Sequence, residues 1–322
     1  MTGIATTGPL RVGISACLLG EPVRHDGGHK HDRFLTDVLG PFVEWVPVCP
    51  EVELGLGTPR ETIRLEGDPD APRLVAPASG KDHTASMARL TRRRAKALAR
   101  QDIVGCVLKK DSPSCGMERV RVWGAHGRPP ARHGVGAFAR AVMARMPLLP
   151  IEEEGRLNDA ALRENFIERL FAYRRWRDLR AARPTRGGLI AFHTAHKYQL
   201  LAHQPETYRA LGALVARAKA RPIANVLDDY ATRFMTGLRV RATRGRQANV
   251  LHHLLGHFSE HLVPADRQEL VAVIDDYRRG LVPLVVPLTL VRHHVRRLDV
   301  AYLAGQTYLE PHPKELMLRN HV

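Results

Sequence analysis

The sequence has no long apolar stretch and few cysteines, and each shortage excludes a broad class of protein. No run approaches the roughly 18 apolar residues that a membrane helix needs, and the first ten residues lack the charged and apolar regions of a signal peptide. The chain has four cysteines, and no two of them form a Cys-x-x-Cys pair. A disulfide framework is therefore not expected. We expect a protein of the cytoplasm that does not associate with membranes.

Acidic residues are also scarce relative to basic ones. Asp and Glu number 33 against 49 Lys and Arg, which gives a formal net charge of +16. Both halves of the chain carry the excess, so it does not come from one basic tail. Such a charge predicts a polyanionic partner. The alternative is an arginine-rich composition whose side chains only cover solvated surfaces.

The first half of the sequence alternates strand patterns with helix patterns. Short apolar runs that end in polar or glycine-containing loops predict buried strands, and amphipathic segments between them predict helices. This order is typical of a parallel, Rossmann-like sheet with helices on its faces. The predicted strands are 11–16, 43–48, 103–108 and 147–151, and the predicted helices are 84–101 and 135–146.

The second half reads as helical throughout. After residue 152 strand patterns almost vanish, and apolar residues recur at helical spacing, as at Leu162, Phe166 and Leu170. We therefore predict an α/β domain at 1–152 and an all-α domain at 153–322, which agrees with a length beyond the usual single domain. The apolar residues between Pro283 and Pro287 are predicted to turn a corner rather than to lie inside a helix.

Three cysteines follow predicted strands and form a candidate ligand site. Cys17 follows the first strand, Cys49 the second, and Cys115 lies in the loop beyond the third. Loops after the carboxyl ends of parallel strands gather at one edge of the sheet, where ligands bind. Cys106 lies within the third strand and is interpreted as a buried hydrophobic residue.

The thiols by themselves leave three interpretations open. Three thiolates suit an iron–sulfur cluster with one open iron, or a zinc ion whose coordination is completed by His25 or His83. Three unrelated buried cysteines are the remaining alternative, because the close spacing that makes such a prediction strong is missing.

The motifs around these cysteines resemble those of the thiouracil desulfidase family. The matching runs are SACLLGEPVRHDG at 15–27, CPEVELGLGTPRE at 49–61 and LKKDSPSCG at 108–116. The resemblance implies a [4Fe-4S] cluster held by Cys17, Cys49 and Cys115 through three of its irons, with the fourth iron left for the substrate sulfur.

The resemblance also implies a catalytic glutamate and serine, which map onto Glu51 and Ser112. Glu53 and Ser114 lie close enough to be confused with them, because on a strand-like segment Glu51 and Glu53 would share a face. Ser114 is predicted either to bind substrate or to cap the loop backbone.

Residues just beyond the first cysteine form a second candidate set. Arg24, His25 and Asp26 are predicted to bind substrate or to support the cluster ligands. A simple turn at this HDGG run is equally consistent with the sequence.

The C-terminal half resembles the helical YbgA-like module. Runs from 186 to the end carry this resemblance, and the two modules together are similar to fused RNA desulfidases that act on 4-thiouridine in tRNA. The helical module is then expected to bind RNA through clustered arginines, which suit phosphate contacts. The candidates are Arg241, Arg244, Arg246, Arg292, Arg296 and Arg297. His253, His257 and His261 recur every four residues, and we interpret them as hydrogen-bonded or RNA-facing rather than as metal ligands.

The sequence thus predicts hydrolysis of the thiocarbonyl of 4-thiouridine in tRNA to uridine, with release of sulfide. Soft thiocarbonyl sulfur suits an open iron, and Glu51 would activate the attacking water. A base within folded RNA must leave its stack to reach the site. Two alternatives remain open: a desulfidase of free, small-molecule thiopyrimidine, and a non-catalytic nucleic-acid-binding iron–sulfur sensor. A zinc deaminase is disfavoured, because the Pro-Cys-x-x-Cys signature is missing.

Overall fold

The computed structural model describes residues 10–124 and 129–322. These residues form two compact units, 10–158 and 159–322. The boundary lies slightly beyond residue 152, because the last strand of the sheet and the helical turn after it belong to the first unit. An α/β unit followed by an all-α unit confirms the fold class expected from the sequence.

The first unit contains eight strands in two four-stranded sheets. The first sheet has the order β2-β1-β5-β8 and is parallel throughout, as predicted. The second has the order β4-β3-β6-β7, and its short strands were not predicted from the sequence. The strands are β1 Leu10–Ser15, β2 Val43–Val48, β3 Arg64–Glu66, β4 Arg73–Val75, β5 Gly105–Leu108, β6 Val120–Trp123, β7 Ala131–Gly134 and β8 Ile151–Glu153.

Among the described residues, three α-helices accompany the sheets. These are α1 Pro50–Glu53, α2 Thr84–Arg100 and α3 Ala137–Arg145. Helix α2 buries Met87 and Leu90 against the second sheet, and its arginine-rich face is turned outward. Burying an apolar stripe of this kind is what stabilises a surface helix.

Two local predictions for this unit are wrong. Residues 147–150 form a turn, and the last strand begins only at Ile151, because two prolines in this run cannot donate to a sheet ladder. The segment after Cys49 is the short helix α1 rather than strand-like, and Pro50 at its first position favours a helix start.

The second unit is built from helices. They are α4 Ala160–Ala181, α5 Arg186–His203, α6 Pro205–Ala216, α7 Ile223–Arg239, α8 Arg244–Gly256, α9 Pro264–Arg279, α10 Val285–Arg297 and α11 Ala301–Ala304. Side chains of Asp159, Thr185 and Thr243 accept backbone hydrogen bonds at the starts of α4, α5 and α8 and so cap them.

Helix α4 runs through the interior of this unit. Every residue from 164 to 173 is buried, as are Arg175 and Trp176. Trp176 stacks on Tyr230 at 5.3 Å between ring centroids, and Phe192 packs edge-on against both rings.

The proline-bracketed run was predicted to turn a corner, and it instead starts a helix. Pro287 lies in the first turn of α10, where no intrahelical partner awaits its missing N–H. Among the helices of the described residues, none is long and apolar enough to cross a membrane.

Candidate active site

Three cysteine-bearing loops converge at the carboxyl edge of the parallel sheet. Cys17 follows β1, Cys49 follows β2, and Cys115 lies in the loop after β5. All three line one cavity of about 570 Å³. The thiols are close enough that ionising Cys17 or Cys49 would raise the pKa of Cys115. The convergence predicted from the strand order is therefore present.

Backbone hydrogen bonds fix the first two cysteines. The carbonyl of Cys17 accepts from the Lys30 amide at 2.8 Å, which folds the 20–30 loop back over the end of β1. Burial raises the pKa of the Cys17 thiol to about 11, and Lys109 and Arg24 oppose that rise. Burial likewise raises the pKa of Cys49. Backbone N–H groups at the start of α1 donate to its sulfur and oppose that rise. Cations and amides of this kind favour thiolate ligands once a metal binds.

Helix α3 anchors the third cysteine. Its first amides donate to the loop after β5 that carries Cys115, with Phe138 N donating to the Ser114 carbonyl at 2.8 Å. A β-carbon at Gly136 would lie 2.5 Å from the same carbonyl oxygen, so only glycine permits this approach. Cys115 is buried, which raises the pKa of its thiol, and the Ser15 hydroxyl donates to its sulfur.

Cys106 lies outside this site. It is fully buried within β5, between β1 and β8, and does not line the cavity. A β-carbon at the neighbouring Gly13 would lie 2.7 Å from its sulfur, so the sulfur fills the space over that glycine. This placement agrees with its interpretation as a packing residue.

A carboxylate is held in a fixed orientation beside the cysteines. One oxygen of Glu51 accepts from Nε and Nη2 of Arg60 at 3.0 and 2.6 Å, and the other accepts from the Ser114 hydroxyl at 2.9 Å. Arg60 is itself fixed by the Val23 and Gly57 carbonyls at 3.0 and 2.9 Å. The Arg60 side chain is 5% exposed and that of Glu51 14%, so the pair is mostly shielded from water.

Glu53 points elsewhere. It pairs with Arg94 of α2 at 3.3 Å and does not line the cavity, whereas Glu51 does. The two glutamates diverge because the segment is helical, and residues two apart on a helix do not share a face. On a strand the side chains of Glu51 and Glu53 would share a face, which is why the sequence alone does not separate their roles.

The two serines have different contacts. The Ser112 oxygen accepts from the amides of Ser114 and Cys115 at 3.2 and 3.0 Å, and Ser112 lines the cavity. Ser114 is fully buried and donates to Glu51 instead of capping the loop. The hydroxyl hydrogen of Ser112 is used by neither of its two contacts, because both engage oxygen lone pairs.

Part of the 24–28 segment forms a turn, and another part of it lines the cavity. Asp26 accepts from the Gly28 amide at 3.0 Å, lies 3.4 Å from Arg24 Nε and is about half exposed. The hydrogen bond from the Gly28 amide lowers the pKa of the Asp26 carboxyl, and the nearby Arg24 guanidinium lowers it further. Arg24 and His25 line the cavity, while Asp26 does not. The turn and substrate-facing interpretations thus apply to different residues of the same run.

The spacing of the ligands bears on which metal centre fits. Among the described residues, no three His, Cys, Asp or Glu side chains lie close enough to hold one metal ion. His83, one candidate fourth zinc ligand, is buried at the start of α2 and does not line the cavity. Three thiols that surround one cavity without meeting at one point suit a polynuclear cluster better than a single zinc.

Three residues of this site were not singled out in the sequence. Arg60 orients Glu51, Ser15 donates to Cys115, and Lys109 faces Cys17 and pairs with Glu154. Each lies inside one of the three runs that carry the family resemblance, so the runs themselves were the available signal.

The predicted RNA-binding arginines are not equally available. Arg246 donates to the His203 carbonyl at 2.7 Å at the end of α5, and Arg292 donates to the Leu309 carbonyl. Arg241 and Arg297 are more than half exposed, with weak ion pairs at 3.9 Å. Arg244 and Arg296 are exposed as well.

The candidate arginines fall into two groups, one near the start of α8 and one on α10, and members of the two groups lie near opposite ends of α9. Arg244 lies against Gly280 at the C-terminal end, and Arg297 faces Asp266 in the first turn. The intervening helix spans on the order of 20 Å. The three histidines do not share one helix face, since α8 ends at Gly256, and His257 accepts from or donates to Tyr198 at 2.6 Å.

Comparison with known proteins assigns the two parts of the chain to different families. Residues 12–154 match the family described as 2-thiouracil desulfurase, and residues 197–313 match a family described as protein of unknown function (DUF1722). Uncharacterized protein YbgA of Escherichia coli (strain K12) is 35% identical over 158 residues, which are 49% of this chain and 94% of that protein. A solved structure of the [4Fe-4S]-dependent thiouracil desulfidase TudS is 33% identical, covers 47% of this chain and 95% of its own, and has a TM-score of 0.39.

Proposed function

We propose that this chain, which joins a domain of the 2-thiouracil desulfurase family to a YbgA-like helical domain, converts 4-thiouridine in tRNA to uridine with release of sulfide. One observation carries the proposal. Three thiols and the carboxylate of Glu51 line a single cavity, and Arg60 and Ser114 hold that carboxylate in place.

Cys17, Cys49 and Cys115 are the residues that would hold a [4Fe-4S] cluster, the cofactor on which TudS depends. Their thiols suit it because they come from three loops around a cavity of about 570 Å³, with Ser15 and two backbone amides donating to sulfur. When bound, the cluster supplies an open iron that acts as a soft Lewis acid for thiocarbonyl sulfur.

The protein's own residues would then activate water. Glu51 accepts the proton of a water molecule that attacks the thiocarbonyl carbon of the base. Arg60 keeps the carboxylate aimed into the cavity, so no energy is spent on orienting it during the reaction. The Ser112 hydroxyl donates to the base and so orients it.

The reaction balances without an oxidant or a reductant. Water supplies the oxygen of the new carbonyl, the carbon–sulfur bond breaks, and the sulfur leaves as hydrosulfide. The proton held by Glu51 returns to the departing sulfur or to solvent. Lys109 and Arg24, which lie beside Cys17, stabilise the negative charge that develops on sulfur.

Charge and the helical domain support RNA as the carrier of the base. The net charge of +16 suits a phosphate backbone, and Arg241, Arg244, Arg296 and Arg297 are exposed on the helical unit. A base in folded tRNA must leave its stack, at a cost of a few kcal/mol that phosphate contacts offset. Action on tRNA would place the protein in the cytoplasm.

Free thiouracil is the second candidate substrate. The description of the matching family names 2-thiouracil, and the cavity is roomy enough for an isolated base. Turnover of thiouracil at the rate seen with tRNA would favour this candidate. A sensor without catalytic activity would keep its cluster and convert neither substrate.

Substitution of the two glutamates tests the proposal. Glu51→Gln is expected to keep the visible absorption of the cluster and to lose desulfidation of 4-thiouridine. Glu53→Gln is the matched control, since it alters the neighbouring carboxylate that pairs with Arg94. Full activity of Glu51→Gln would show that another group activates the water.

A further inference from the structure

One small cavity lies wholly within the helical unit. It has a volume of about 130 Å³ and is bounded by α4, α10 and the chain from Ala304 to Glu310. Three arginines line it: Arg175 from α4, and Arg292 and Arg296 from α10. Among its described lining residues, Glu310 is the one acid. The cavity is therefore positively charged.

Arg175 is buried without a full set of partners. Its Nη2 donates to the Pro311 carbonyl at 2.7 Å, while Nε and Nη1 are buried and have no hydrogen-bond partner within the described chain. The side chain is 7% exposed. Burial lowers its pKa to about 10, so it stays charged at neutral pH. A buried cation with unused donors is costly unless something accepts from it.

Arg292 repeats this pattern on the facing helix. One guanidinium nitrogen donates to the Leu309 carbonyl, and Nε is buried and has no hydrogen-bond partner among the described residues. The nearest carboxylate oxygen, on Glu310, is 3.9 Å away, and that side chain is two-thirds exposed. Glu310 therefore lies at the rim and neutralises little of the charge inside. Arg296 adds a third, exposed guanidinium.

We propose that this cavity binds a phosphate group. A tetrahedral oxyanion has enough charge and acceptors to pair with the guanidinium groups of Arg175 and Arg292 from two sides at once, which a single carbonyl or water does not. The group would come either from the backbone of a bound RNA or from a small phosphorylated molecule. The inference does not depend on the desulfidase proposal, because the cavity shares no residue with the cysteine site.

Two matched substitutions, each replacing an alanine by glutamate, test the site in the full-length protein. Ala304 is exposed and lines the cavity, and Ala301 is exposed on the same short helix but does not line it. Ala304→Glu would place a carboxylate where the oxyanion binds, whereas Ala301→Glu makes the same change of charge outside the cavity. Calorimetric titration with inorganic phosphate, at an ionic strength held constant with chloride, compares them. We expect Ala304→Glu to weaken phosphate binding about tenfold relative to Ala301→Glu.

Glu310→Gln gives a second, independent readout. It removes the rim carboxylate without altering a buried residue, so inorganic phosphate should bind several-fold more tightly. Equal phosphate affinity in Ala304→Glu and Ala301→Glu, or no binding to the unaltered protein, would overturn the proposal.

The same variants distinguish the source of the phosphate. Fluorescence anisotropy with an unmodified tRNA transcript measures RNA affinity without turnover. Weaker transcript binding by Ala304→Glu than by Ala301→Glu assigns the cavity to an RNA phosphate. Equal transcript binding with unequal inorganic phosphate binding assigns it to a small phosphorylated ligand. Both results support the site, and both are separate from any loss of desulfidase activity.

Discussion

At the scale of single residues, the orientation of Glu51 depends on Arg60. That guanidinium contacts Glu51 through two nitrogens and is fixed by the carbonyls of Val23 and Gly57. A general base works only when its oxygen is aimed at the proton it takes, and small misplacements have large effects on rate. Arg60 is therefore a positioning residue in this account, and Glu51 the residue that handles the proton.

Arg60→Gln should lower kcat about 100-fold while leaving the visible absorption of the cluster unchanged. Glutamine cannot reproduce the two charged hydrogen bonds that Arg60 donates to one oxygen of the carboxylate, so Glu51 would lose its fixed orientation. Arg94→Gln is the control, because Arg94 pairs with Glu53 outside the cavity. Steady-state kinetics on thiolated tRNA checks this, and similar losses in both variants would argue against a positioning role.

Cys106→Ala should retain the full iron and sulfide content of the reconstituted protein. Its sulfur is buried against Gly13 and does not line the cavity. Alanine substitution of Cys17, Cys49 or Cys115 should each reduce the iron content and bleach the visible band. Iron and acid-labile sulfide assays on the four variants decide the matter. A normal cluster in any of the latter three would remove that residue from the ligand set.

At the scale of elements, helix α4 carries a buried polar network through the helical unit. Glu164 accepts from Arg319 at 3.1 Å, and Glu168 contacts His203 and Gln199 at 2.9 Å each. All these side chains are buried. Side chains at such depth stay ionised only when an oppositely charged or hydrogen-bonding side chain contacts them. Removing one member of such a pair leaves the other buried without a counter-charge.

Arg319→Ala should lower the free energy of unfolding of the helical unit by about 3–5 kcal/mol. The loss arises because Glu164 would remain buried without its main counter-charge, although His312 lies 3.9 Å away. Arg278→Ala breaks an ion pair that is more than half exposed on the arginine side and should change little. Denaturant titration of both variants followed by circular dichroism compares them, and equal midpoints would contradict the account of the network.

Helix α5 should lose protection as the pH falls below neutral. Burial lowers the pKa of His196 to about 3 and that of His193 to about 4, so both stay neutral in the folded helix. The unfolded chain takes up these protons below about pH 6.5. The stability that these two histidines contribute is thus complete above pH 6.5 and falls as the pH decreases toward about 3.

Hydrogen exchange of the α5 amides between pH 7 and pH 5 measures this effect, after correction for the intrinsic dependence of exchange on pH. His196→Leu should flatten the profile, because the ring packed on Phe192 is then replaced by a group that does not titrate. An unaltered profile in this variant would assign the acid sensitivity to other groups.

The sequence predicted elements well where several residues repeat a pattern and poorly where few do. The strands that precede Cys17 and Cys49 have six residues each, and the sequence located them closely. Strands β3 and β4 have three residues each, too few for an alternating pattern to stand out, so the second sheet was missed. Three-residue strands depend on their neighbours rather than on their own sequence.

The site shows the same limit. Strand order predicts that three cysteines meet at one edge, but it does not tell Glu51 from Glu53 or Ser112 from Ser114. Those choices depend on α1 being a helix and on which hydroxyl faces Glu51. Arg60 lies in a loop, and no periodicity in the sequence indicates that its side chain contacts Glu51.

At the scale of the whole molecule, charge on the helical unit is spread over more than one surface. Arg244 of α8 and Arg297 of α10 lie near opposite ends of α9, and Arg246 and Arg292 donate to backbone carbonyls. An RNA that contacted both ends would bridge on the order of 20 Å, several phosphates along a strand. The two ends would therefore act together only on a polynucleotide, and a free base would not use them.

The most direct test is to reconstitute the full chain anaerobically with iron and sulfide and incubate it with tRNA that contains 4-thiouridine. Mass spectrometry of the digested RNA then quantifies 4-thiouridine and uridine, alongside a sulfide assay. We expect 4-thiouridine to fall, and uridine and sulfide to rise together, only when the cluster is intact and Glu51 is present. Unchanged 4-thiouridine despite a complete cluster would contradict it.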